Sequence, residues 1–250
     1  MFEPYDRSGL LDPEAQVYMP DDAKFTVKLR NNFVRKVFSI VAAQLLLTAA
    51  LGCLFTLRAS WQLWALKNTW LGMAAGIAAI AVMLVITCVP GISQKVPVNY
   101  ALLGTFTVLE ALSLGPLLAA VSASIGAYVV VEAVVLTALV VVALTLVAFQ
   151  TKYDFTSWVS YVAVATMVML GFGLLRMLFP ASRWVDNLYA MMGAGLCGVY
   201  LIMDMQMMLG KGRVQVSTDD YISAAMNLYV DVVMMFVYVL QLLTNSQRDD

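Results

Sequence analysis

Four carboxylates fall inside long apolar runs: Glu110, Glu132, Asp204 and Asp231. An ionised side chain is expensive in apolar surroundings, so each is either satisfied by a neighbour or kept for work with a cation or a proton. Asp204 and Asp231 are the pair best placed to act together. At helical spacing Ser223, Asn227 and Asp231 form one polar stripe, with Tyr238 seven residues further on. Gly193, Cys197, Tyr200 and Asp204 share a face of the preceding run, and its small residues allow close approach of a second helix. Two facing carboxylates offer oxygen ligands to a hard cation, with Asn227 as a weaker donor. In a poorly solvated site two like charges cannot both ionise easily, so any bound cation would compete with a shared proton.

The remaining polar residues divide into candidates and bystanders. Glu110 lies about 15 Å into its run and either lines the same cavity or is hydrogen-bonded within the bundle. Glu132 sits within a turn of the end of its run, where the positive end of a helix explains it. Arg176 is close enough to a run's end to snorkel. The stretch Ser217-Thr218-Asp219-Asp220 reads as capping for the last run. Histidine is absent, which removes His-based zinc sites, Ser-His and Cys-His catalysis, and any histidine pH switch. Cys53, Cys88 and Cys197 are widely spaced and read as small apolar residues. Met203, Met205, Met207 and Met208 surround Asp204 but do not share one face, so they make no copper site.

The elements that must position the pair follow from composition. Of 250 residues 62% are hydrophobic and 12% charged, whereas a soluble domain carries about 25% charged residues. The chain cannot clothe a soluble surface. Net charge is −1, which gives no field for nucleic acid. Seven runs long enough to cross a bilayer lie at roughly 37–57, 70–89, 100–120, 128–149, 158–178, 187–209 and 222–243. The expected fold is all-α and integral to the membrane. Residues 1–36 are expected to form a flexible tail, whose basic and apolar part from Lys24 to Phe38 lies along the interface; 37–243 form the membrane domain, and 244–250 a short C-terminal tail. Asp204 and Asp231 then sit at similar depths on consecutive antiparallel helices, about 7–8 Å and 13–14 Å from the same side. That side carries Lys24, Lys28, Arg30, Arg35, Lys36, Lys95, Lys152, Lys211 and Arg213, against Arg58, Lys67, Arg176 and Arg183 opposite. Leaving out the distant Arg7 and the tail Arg248, the balance favours a cytoplasmic N-terminus.

Several stretches resemble the Bax-inhibitor, or Lifeguard, family of transmembrane proteins. They are Phe33-Val34-Arg35-Lys36-Val37-Phe38 with Gln44-Leu45-Leu46-Leu47-Thr48, Pro97-Val98-Asn99-Tyr100, Leu112-Ser113-Leu114-Gly115-Pro116-Leu117, and Gln150 to Thr156. The strongest block is Asp204-Met205-Gln206, Asp219-Asp220-Tyr221-Ile222, Leu228-Tyr229 and Asp231. The resemblance covers about 30–243. It implies seven transmembrane helices with six wrapped around the last, and a calcium leak whose gating depends on pH through an aspartate pair, carried over here to Asp204 and Asp231. It also implies links to suppression of cell death and to calcium stores of the endoplasmic reticulum or Golgi. One departure stands out: Ser93 and Gln94 occupy positions where the family often has arginines, leaving Lys95 as the only basic residue there.

Two other readings compete. An intramembrane aspartyl protease would also use two aspartates on consecutive spans. Here the second follows Leu228-Tyr229-Val230 in place of a Gly-x-Gly run, and no eighth or ninth span exists. A membrane adaptor that suppresses cell death without transport is the other. A heptahelical receptor fits less well: the charge bias is inverted and the last span has no retinal-binding lysine. The expected function is a pH-sensitive calcium leak channel of an intracellular membrane, not an enzyme. Asp204 and Asp231 bind the ion and gate, Asn227, Glu110, Tyr200, Ser223 and Lys95 line or support the path, and calcium is cargo with no resident cofactor. The bilayer, calcium and membrane cell-death regulators are the expected partners.

Overall fold

The computed structural model describes residues 13–178, 182–211 and 213–247. Pro4 and Arg7 of the expected tail, and Arg248, lie outside the described residues. Among the described residues eight α-helices follow in order: α1 Pro13–Leu57, α2 Ala59–Lys67, α3 Thr69–Cys88, α4 Val98–Ser124, α5 Ala127–Gln150, α6 Val159–Leu178, α7 Arg183–Leu209 and α8 Tyr221–Gln247. No strand occurs among the described residues. Seven of the helices are long and apolar enough to cross a membrane, and they coincide with the seven runs. The protein is a multi-pass membrane protein.

Several boundaries differ from the sequence reading. Helix α1 begins at Pro13, so the basic segment from Lys24 to Phe38 is helical and continuous with the first span. Once a span has nucleated a helix, each added residue costs little. The piece read as a polar connection, Trp61–Asn68, is largely the helix α2. At the other terminus α8 runs to Gln247, where the Tyr128 hydroxyl donates to the Gln247 side chain.

Polar contacts sort the connections onto two ends of the bundle. At one, called here the near end, Arg30 of α1 donates to the Val216 carbonyl at 2.8 Å. The 151–158 segment meets the 210–216 segment there through Asp154 and the Arg213 amide at 3.2 Å. At the far end the Ser122 hydroxyl donates to the Thr56 carbonyl, Asn245 to Asn187, and Arg176 pairs with Asp186. Consecutive spans therefore alternate in direction. Gly210 closes α7 at φ 68°, in the left-handed region. A side chain there would also run into the Arg30 guanidinium, so glycine is needed twice over.

Helix α8 packs against α1, α4, α5 and α7. Helix α3 packs on α4, and α6 on α7. Four of the other six spans thus lie directly against α8, and two form an outer layer. Burial separates the layers: α4, α7 and α8 are the most buried spans, and the span containing α6 is the least. The stripe Met73, Ile77, Ile80 and Leu84 on α3 is exposed, as a lipid-facing surface should be.

Candidate functional site

Helices α7 and α8 meet because small residues let them. A Cβ placed on Gly193 would lie 2.4–2.7 Å from the Tyr238 ring, so that ring rests on bare backbone. A Cβ on Gly198 would lie 3.7 Å from the Met235 methyl, and Asn245 donates to Asn187 at 2.7 Å. These three contacts fix an antiparallel register that puts Asp204 level with residues 227–229. Asp231 then lies about 4–5 Å further along the helix axis, at 1.5 Å per residue.

Asp204 is 9% exposed, and Leu201, Ile202, Met203, Met205 and Gln206 around it are all buried. Protein therefore encloses α7 on every side at this level. Asp231 lies within electrostatic reach of Asp204 and of Cys197, and its Oδ2 is buried without a hydrogen-bond partner. A lone buried carboxylate oxygen is costly, and a cation, a proton or a water would relieve it. No third His, Cys, Asp or Glu joins the pair in a metal-sized group among the described residues. Two carboxylates supply at most four of the six to eight oxygens that calcium takes, so water or carbonyls would have to complete the shell.

The other expected residues divide. Asn227 and Met234 are exposed, whereas the rest of α8 between residues 222 and 243 is buried or half-buried. They bracket Asp231 at helical spacing, so the aspartate borders the open side of α8. Ser223 is half-buried on the same stripe. Tyr200 turns away, and its hydroxyl pairs at 2.8 Å with that of Thr166 on α6. Glu110 is half-buried beside Tyr229. Tyr229 and Asp231 are two residues apart, about 200° around the helix, so Glu110 and the aspartate pair occupy opposite sides of α8. Lys95 is exposed and has no ion pair among the described residues.

Three groups that sequence reasoning did not assign stand near these residues. Gln44 of α1 donates to Thr107 of α4 at 2.9 Å, and Thr48 shares a hydrogen with Tyr229 of α8 at 2.8 Å. Their signal was polar residues one turn apart in a span. At the near end the Asp220 carboxylate accepts from Ser93 at 3.3 Å and Gln94 at 2.9 Å. Its side chain thus reaches the segment before α4 instead of capping α8, held there by two uncharged donors. Beside it the Lys36 ammonium lies 3.2 Å from the Tyr221 ring centroid, a cation–π contact. Gln206, next but one to Asp204, donates to the Tyr153 carbonyl at 2.8 Å and accepts from the Phe155 amide at 2.9 Å. It pins the connection between the fourth and fifth spans against the α7 segment that carries Asp204.

The chain matches the family model described as "Inhibitor of apoptosis-promoting Bax1" over residues 30–248. It is 32% identical to human Protein lifeguard 3 over 219 residues, covering 86% of this chain and 69% of that protein. Mouse Protein lifeguard 3 is 31% identical over 218 residues, with the same coverage. Protein LIFEGUARD 3 of Arabidopsis thaliana is 35% identical over 227 residues, covering 88% of this chain and 87% of its relative.

Proposed function

The chain belongs to the Bax-inhibitor and Lifeguard family, linked to regulation of cell death, and on that premise we propose that it is a pH-sensitive calcium leak channel gated by Asp204 and Asp231. The observation that carries this reading is the carboxylate pair at the α7–α8 interface, Asp204 buried and Asp231 half-buried with its Oδ2 enclosed and unpartnered. Calcium is the cargo. It meets an acidic station that is too sparse to hold it as a storage site would, which suits passage. Asn227, on the open side of α8, offers an approach to Asp231, and Ser223 lies one turn nearer the end.

Gating follows from competition. A cation and a proton both relieve the pair, so acidification weakens calcium binding. The basic residues gathered at the near end support a cytoplasmic N-terminus, which puts the pair in the cytoplasmic half of an endoplasmic reticulum or Golgi membrane.

Calcium flux into liposomes containing the purified protein tests this. Flux should depend on pH in the wild type, and Asp204→Asn or Asp231→Asn should flatten that dependence. A pH profile unaltered in both variants would show the pair to be structural. Absence of flux from the wild type would favour an adaptor role.

A further inference from the structure

At the far end α1, α2, α3 and α4 enclose a cavity of about 340 Å³, remote from the aspartate pair. Its walls include Phe55, Leu71, Ala75, Leu109 and Pro116, and Asn68 is its one polar side chain. Part of the wall is as tight as packing permits, since a Cβ on Gly72 would lie 2.6 Å from the Pro116 ring. The mouth lies at Ala74 and Trp64, which line the cavity and are also exposed. It therefore opens on the outside of the bundle, where lipid would be.

The rim has a distinct chemistry. Helix α2 and its flanks present exposed Trp61, Trp64 and Trp70, with Arg58 before the helix and Lys67 at its end. Exposed indoles with cations mark the depth at which acyl chains give way to headgroups. Neither cation has an ion pair among the described residues. The sequence holds no Asp or Glu between Asp22 and Glu110, and α2 packs only against α1, α3 and α4. An apolar cavity beneath an unneutralised positive rim complements a molecule with an apolar chain and a negative head.

We propose that this cavity binds one acyl chain of an anionic phospholipid, whose phosphate lies at Lys67, beside the cavity-lining Asn68, within the field of Arg58. The chain replaces a void with dispersion contacts, and the headgroup finds cations that have no protein partner. The site is independent of the channel reading and stands or falls separately from it.

Native mass spectrometry of the full-length protein in detergent, titrated with phosphatidylglycerol and with phosphatidylcholine of the same chains, tests it. The wild type should retain one phosphatidylglycerol in preference to phosphatidylcholine. Ala74→Phe, which sets a ring in the mouth from an exposed position, should abolish that retention. The surface double variant Arg58→Gln/Lys67→Gln should weaken it roughly tenfold or more and remove the preference, with thermal unfolding unchanged. Equal retention of the two lipids by the wild type would overturn the proposal. So would a charge variant that binds normally, since the head would then not be read. An Ala74→Phe protein that binds normally would place the lipid elsewhere.

Discussion

At the scale of the residue, Asp204 and Asp231 stand out in the sequence because charge in a long apolar run is rare and because helical spacing puts each on a face with small or polar neighbours. The partners of other residues were not legible, since spacing along one helix does not say which distant helix supplies the second group. Tyr200 was expected near the pair and instead meets Thr166. Gln206 lies in the same block as Asp204, yet its partners are some fifty positions away. Both ends of its amide are used in a buried setting, so Gln206→Ala should lower stability by about 2 kcal/mol, read as loss of thermal resistance in detergent. Asp154 makes a contrasting case. A hydrogen bond from the Thr156 hydroxyl holds its carboxyl below the usual carboxylate range, aided by the Arg213 and Thr156 amides. A group with a lowered value stabilises above its unfolded value and loses that contribution as pH falls through the folded one. The loop clamp is therefore constant between about pH 5 and 8. Asp154→Asn should leave the midpoint of any pH-dependent flux unchanged, whereas Asp204→Asn should move or remove it.

At the scale of the element, span length and apolar content gave all seven crossings, because a bilayer demands both in one continuous stretch. Helix α2 was missed for the same reason: at nine residues with Arg58 and Lys67 at its edges it has neither property, and its helicity comes from packing on α1 and α4. The continuity of α1 back to Pro13 was also hidden, because its composition there resembles a solvated tail. The α7–α8 contact is the element pair on which the site depends. Gly193→Leu would force the Tyr238 ring off the backbone, and should cost about 1–3 kcal/mol by overpacking. Pairing it with Tyr238→Ala should recover part of that loss, whereas the same tyrosine change paired with Gln206→Ala should not. Thermal unfolding of the single and double variants decides between those outcomes.

At the scale of the whole molecule, the two sets of connections cannot be exchanged without breaking specific bonds. The Arg30 contact with Val216 holds the start of the first span beside the connection from α7 to α8. Tags placed before α1 and within 211–216 should thus be protected or exposed together in sealed vesicles, and opposite protection would end the seven-span topology. The Thr48–Tyr229 pair has a further consequence, for assembly over time. Its members are separated by 181 positions; before α8 arrives Thr48 has the Gln44 carbonyl of its own helix as acceptor and Gln44 has Thr107 of α4, so what waits for the last helix is the packing face that α8 fills. At about 5–20 residues per second that interval is roughly 10–40 s. Throughout it the inward faces of α1, α4, α5 and α7, Asp204 among them, remain without the helix that is to cover them. A nascent chain in that condition exposes to the bilayer a charged side chain and the small-residue face on which α8 packs. Any truncation that removes α8 makes the condition permanent, so such fragments should be degraded even though six complete spans have been inserted.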